Sequence, residues 1–131
     1  MKRLFLSSMA VLGAVSLAAT ALAAGGDAAK ETATAVTHAN LAAASQSVAV
    51  TDMHLHHVIN CLVGPHGHGF DAAAGNPCHG MGDGALRDSK GQADLHSKAV
   101  QALAVARRGV AAKDLSAAHE AATKVAQILG Q

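Results

Sequence analysis

Along residues 31–129 the apolar positions recur mostly at intervals of three and four, the period of a helix buried on one side. From Glu31 to about Ser47 the chain is alanine-rich, with Val36, Ala39, Leu41 and Ala43 at roughly helical spacing. Alanine is the strongest helix former, so a helix is expected there despite the interspersed threonines. Val48-Ala49-Val50 interrupts the pattern. A second helix is expected from a cap at Thr51 or Asp52 to Gly64, with Pro65 just beyond as a stop signal. Residues 64–91 read as a long loop that holds eight glycines and both prolines of the chain. Loops of that length in compact domains usually carry a function or are disordered. Helical spacing returns from about Gln92 to Arg108, through Leu95, Ala99, Ala102, Leu103 and Ala106. Gly109 is expected to end that helix. Asp114 is placed to cap a last helix striped by Leu115, Ala118, Ala122, Val125 and Leu129. No segment reads as a strand. The pattern predicts an all-α fold: a small antiparallel four-helix bundle of two helical hairpins joined by the glycine-rich loop.

The first residues follow different rules. Met1-Lys2-Arg3 is a short basic start, Leu4 to Ala18 is apolar and uncharged, and Ala21-Leu22-Ala23 is a small-x-small site. This is the pattern of a secretory signal peptide over residues 1–23, too short and wrongly flanked for a membrane anchor. Residues 24–30 read as a flexible leader and residues 31–131 as one helical domain. The expectation is therefore a periplasmic or secreted protein without stable membrane insertion.

Removing the signal takes Lys2 and Arg3, leaving eight basic against nine acidic residues. That balance lacks the basic excess of a nucleic-acid-binding protein. All nine histidines remain. Export also bears on Cys61 and Cys78, which in an oxidising compartment most simply pair as a disulfide, with two thiol metal ligands as the alternative.

The histidines are concentrated in "DMHLHHVINCLVGPHGHGF", residues 52–70. On a helical wheel Leu55, Val58, Ile59 and Leu62 share an arc of about 100° that faces a core. Met53, His54, His57 and Cys61 share a second arc of similar width, while His56 stands apart. His54 and His57, one turn apart on a rigid element, can converge on one ion. If Cys61 is bonded to Cys78, the loop folds back over that second arc. His79, next to Cys78, is then brought towards His54 and His57, with His66 and His68 within reach as supplementary ligands. Met53 and Met81 are either soft ligands for Cu(I) or core fillers. His38, His96 and His119, each alone on its helix, read as surface or core-edge side chains.

Several chemistries lack their motifs. There is no Cys-x-x-Cys-His for covalent haem, no His-Glu-x-x-His, no Gly-x-Ser-x-Gly and no phosphate-binding loop. The segments "VTHANLAAAS", "LHSKAVQALAVAR" and "SAAHEAATKVAQ" set single histidines in alanine-rich helix. In this the chain resembles the small histidine-rich periplasmic metal-binding proteins of proteobacteria. That resemblance implies a helical bundle that binds divalent ions, copper prominently; "HLHHVINCLVGP", "NPCHGMGDGA" and the two cysteines depart from the pattern. The leading expectation is a metal-binding protein, not an enzyme. It would buffer, sequester or deliver a transition-metal ion, copper first and then nickel or zinc, with affinity falling as imidazoles protonate near pH 6.5. A metal-free interaction bundle and a haem-binding redox bundle are the alternatives.

Overall fold

The computed structural model describes residues 25–131, so the signal-like segment 1–23 and Ala24 lie outside the described residues. The fold is all-helical: α1 (Ala28–Ala44), α2 (Val48–Val63), the single-turn α3 (Ala85–Asp88), α4 (Ala93–Ala111) and α5 (Leu115–Leu129). There is no strand among the described residues. The four long helices pack around one core, α1 beside α2 and α5, and α4 beside α5 and α2.

Three of the four long helices start at a side-chain cap; Gln92, before α4, makes none. The Asp27, Ser47 and Asp114 side chains accept hydrogen bonds from the backbone N–H groups of Lys30, Val50 and Ala117. Each thereby satisfies a donor that the first turn leaves free. Two expected boundaries move as a result. Ser47, not Thr51 or Asp52, caps α2, so Val48-Ala49-Val50 belongs to the helix. The residues expected as a leader are instead fixed from Asp27 onward: Asp27 caps α1 and its N–H donates to Met81 O at 2.8 Å. Gly64 ends α2 with φ of 71°, as expected. A side chain there would also run into the Asp83 carbonyl.

Gly109 does not end α4, which continues to Ala111. It lies buried where three helices meet, and a Cβ there would sit 2.7 Å from Leu55 Cδ1 and 2.9 Å from Ala121 Cβ. The missing side chain is therefore a packing requirement between α4, α2 and α5.

The core is built from small residues. Ala35, Ala39 and Ala42 of α1, Ala99, Ala102 and Ala106 of α4, and Ala118 and Ala122 of α5 are fully buried around Leu55, Val58, Leu62 and Val125. Alanine faces let helix axes approach closely, which compensates for the scarcity of large side chains. The expected apolar arc of α2 is buried as read: Leu55, Val58, Ile59 and Leu62 are all in the core.

Cys61 and Cys78 form a disulfide. On the chain-entropy view, closing the 17-residue separation stabilises the fold by about 3 kcal/mol. The bond lays residues 70–78 over α2. Asn60, fully buried, then stitches the loop down: its Nδ2 donates to Asp71 O at 2.7 Å and to Gly75 O at 2.6 Å, and its Oδ1 accepts from Asp71 N–H at 2.8 Å. The loop contains one helical turn, α3, and otherwise follows turns.

Candidate metal centre

Ser45-Gln46-Ser47 links α1 to α2 so tightly that the two form a helical hairpin. Ser45 Oγ bonds Ala42 O and Thr51 Oγ1, closing the corner with internal hydrogen bonds. His38 and His54 lie eight residues on either side of Gln46 and so meet at one level of the hairpin. His57 follows one turn along α2. His38 sits at the edge of the alanine stripe of α1, half-buried, pointing at the half-buried pair on α2.

The three rings present the same nitrogen. His38 Nδ1 is 3.2 Å from His54 Nδ1 and 3.2 Å from His57 Nδ1. Ring centroids are 4.6 to 5.6 Å apart. The three imidazoles offer ligand atoms all within 4.8 Å of one another, and no other group of three or more such residues among the described residues does so. A tetrahedral ion with metal–nitrogen bonds near 2.0 Å places its ligand nitrogens about 3.3 Å apart, close to the two distances seen.

For His57 the tautomer follows from its neighbour. His57 Nε2 lies 2.6 Å from Ala74 O. A carbonyl only accepts, so Nε2 carries the proton and, in the neutral ring, Nδ1 holds its lone pair inward. A backbone carbonyl behind the ring is the usual way a metal-binding histidine is oriented. The three Nδ1 atoms are poorly satisfied by one another. A proton on His38 Nδ1 makes one good hydrogen bond to His57 Nδ1 and at best a shared one to His54. A cation satisfies all three lone pairs at once.

Burial and mutual repulsion favour the neutral form at two of the three rings. Burial, followed by repulsion from His57 and His54, lowers the His38 pKa to about 4. Burial, followed by repulsion from His57, lowers that of His54 as well. Neutral imidazole is the ligand form, so proton competition at these two rings begins below the ordinary histidine range.

The disulfide folds the loop over the His54/His57 face as the sequence implied, but the group that reaches His57 is the Ala74 carbonyl. His79 is exposed and lies outside the cluster, and the third imidazole is His38, which the sequence reading had set aside. The reason is the position of the turn. With α2 starting at Val48 rather than at residue 51 or 52, His38 and His54 become equidistant from the corner, and that symmetry about "SQS" was the available signal. His66 and His68 are exposed beyond the end of α2, lining a separate cavity with His96. His56 Nδ1 is 3.5 Å from Asp71 Oδ2, turned away from the cluster by its place on the wheel. Met53 is exposed, and the Met81 sulfur accepts from Thr34 Oγ1 at 3.6 Å while its side chain packs on the core. The cysteines, being disulfide-bonded, offer no thiolate. The three imidazoles could hold a transition-metal ion, with a fourth coordination position left for water or an incoming ligand.

No helix of the described residues is long and apolar enough to cross a membrane. Comparison of the chain with protein-family models, with curated proteins and with solved structures returns no match.

Proposed function

We propose that this is an exported metal-binding protein that buffers, sequesters or delivers a borderline transition-metal ion, with His38, His54 and His57 as its ligands. The observation that carries this reading is the convergence of three Nδ1 atoms with His57 locked from behind by Ala74 O. A ligand set of imidazoles without thiolate suits Cu(II), Ni(II) and Zn(II), and intrinsic affinity order favours copper. Its half-buried position at the edge of the hairpin, with three protein ligands, fits an ion that is loaded and released. The disulfide and the signal-like first residues support an oxidising, extracytoplasmic compartment.

The test is competition titration of Zn(II) and Cu(II) against a chromophoric chelator. Wild type should take one ion per chain at the cluster. His38→Ala and His54→Ala should each lower affinity at least a hundredfold. His79→Ala and a His66→Ala/His68→Ala double variant should leave that ion's affinity within about threefold of wild type. Retained affinity in His38→Ala would remove the site.

A further inference from the structure

A cavity of about 500 Å³ opens between the end of α2, the loop, α3 and α4, and shares no residue with the imidazole cluster. Its apolar lining comes from Val63, Leu86 and Leu103. Its charged lining is one-sided: Arg87, Lys90 and Arg107 against the single carboxylate of Asp83. Asp83 Oδ2 lies 3.8 Å from Arg87 Nε, so one of the three cations is partly neutralised and two are not. Across residues 25–131 there are eight basic and nine acidic side chains, so three of the eight gather at one opening in a chain with a slight acidic excess.

Two of these features are fixed by the fold. Arg107 Nη2 donates to His68 O at 3.0 Å, which ties the loop to α4 and holds the guanidinium at the cavity rim with its other N–H donors unused among the described residues. His96 Nδ1 pairs with the buried Ser89 Oγ at 3.2 Å, which sets the ring's orientation in the lining and leaves Nε2 without a partner among the described residues. His66 and His68, the loop histidines that the cluster does not use, stand at the same opening and add further polar capacity there.

We infer that this cavity binds an anionic amphiphile, a molecule whose apolar body lies on Val63, Leu86 and Leu103 and whose carboxylate or phosphate head meets Lys90 and Arg107. An alkyl chain of about ten carbons with its head group falls within the size range of such sites. Each charge-assisted hydrogen bond to the head contributes about tenfold in affinity.

The experiment is calorimetric titration of the full disulfide-bonded protein with three probes of equal tail: decanoate, decyl phosphate and decyltrimethylammonium, all below their micellar concentrations. Inorganic phosphate serves as the head without a tail. Binding of decanoate or decyl phosphate with at least tenfold preference over the ammonium is expected, and whichever anion binds more tightly names the head group. Among the described residues the Lys90 side chain makes no hydrogen bond or ion pair, so Lys90→Glu reverses a rim charge without disturbing a contact seen there and should weaken the anions at least tenfold. Leu103→Asp should abolish binding; unchanged far-UV circular dichroism shows that it still folds, and Leu103→Ala with at least a fivefold loss stands in if it does not. His38→Ala should bind decanoate as wild type does, keeping this result independent of the metal site. Equal binding of the cationic tail, tail-independent binding of phosphate, no binding of either anion, or an unaffected Lys90→Glu variant would each overturn the assignment.

Discussion

Glu31 is the least expected residue of the core, a carboxyl at 1% exposure where α1 meets the loop and α3. Its Oε1 accepts from Gly84 N–H at 2.9 Å, and its Oε2 has no partner. Burial above all, opposed by the Gly84 hydrogen bond and reinforced by the neighbouring Asp88 and Asp27 carboxyls, pushes the Glu31 pKa up to about 7. The sign follows from proton counting. Between about pH 4.5 and 7 the folded chain holds a proton that the unfolded chain has released, so raising the pH through this window favours unfolding. The stability that Glu31 contributes is complete below about 4.5 and is lost by the time pH passes 7. With these two values, linkage makes the loss between pH 5 and 8 about 2.5 kcal/mol. Glu31→Gln keeps an acceptor for Gly84 N–H, gains an N–H₂ that can donate to Asp88, and does not titrate. Its melting temperature relative to wild type should therefore rise between pH 5 and 8 by about 10 °C, at roughly 4 °C per kcal/mol for a domain of this size. Taking the difference between the two proteins cancels His38 and His54, whose lowered pKa values act in the opposite direction. Thermal melts followed at 222 nm in metal-free buffer at both pH values make the measurement. A difference between the proteins that does not change with pH would refute the reasoning.

Asn60→Ala removes all three side-chain hydrogen bonds that hold the loop on α2, so melts should show a loss of about 2–4 kcal/mol. Because that loop presents Ala74 O to His57, metal affinity should also fall by about ten- to a hundredfold although no ligand has changed. Three ordinary imidazoles would lose up to about a thousandfold in affinity per pH unit well below 6.5. Here His38 stays deprotonated to near pH 5, so the slope of Zn(II) affinity between pH 6 and 5 should not exceed about a hundredfold. A three-proton slope would contradict the lowered His38 value. Gly109→Ala gains about 1 kcal/mol in helix propensity but drives a methyl into Leu55 and Ala121, at a cost of about 1–3 kcal/mol. A net fall in melting temperature is expected, and a rise would show that the three-helix contact is looser than described.

The helices and the disulfide were legible because each rests on local rules. Period-3.6 patterning marked the helical segments, Asp114 and Gly64 marked two ends, and two cysteines behind an expected export signal marked one bond. The site was half legible. His54 and His57 share a helix, so their spacing alone places them together. The third ligand depended on where the corner between two helices falls, and a shift of about three residues in the start of α2 exchanged His38 for His79. Helix ends are where patterning is weakest, because a stretch with two β-branched residues such as Val48-Ala49-Val50 reads as an interruption until the Ser47 cap is recognised. Gly109 was read as a terminator because helical glycine more often stops a helix than admits a neighbour. Neither Asn60 nor the Ala74 carbonyl left a trace in composition or spacing, since their roles exist only once the loop is laid over α2.

The hairpin that carries the three imidazoles has a consequence in time as well as in space. The three imidazoles all fall within residues 38–57, on two helices joined by a three-residue corner. Closing so short a stretch of chain costs little entropy, and such local contacts form early in folding. The carbonyl that orients His57 arrives only when the loop is tethered at Cys78. The chain would thus first make a loose chelator and then, as oxidation closes the Cys61–Cys78 bond, a rigid one. In kinetic terms, for an ion held as proposed, closure of the disulfide would be the step that sets the final grip, and thiol oxidation its clock.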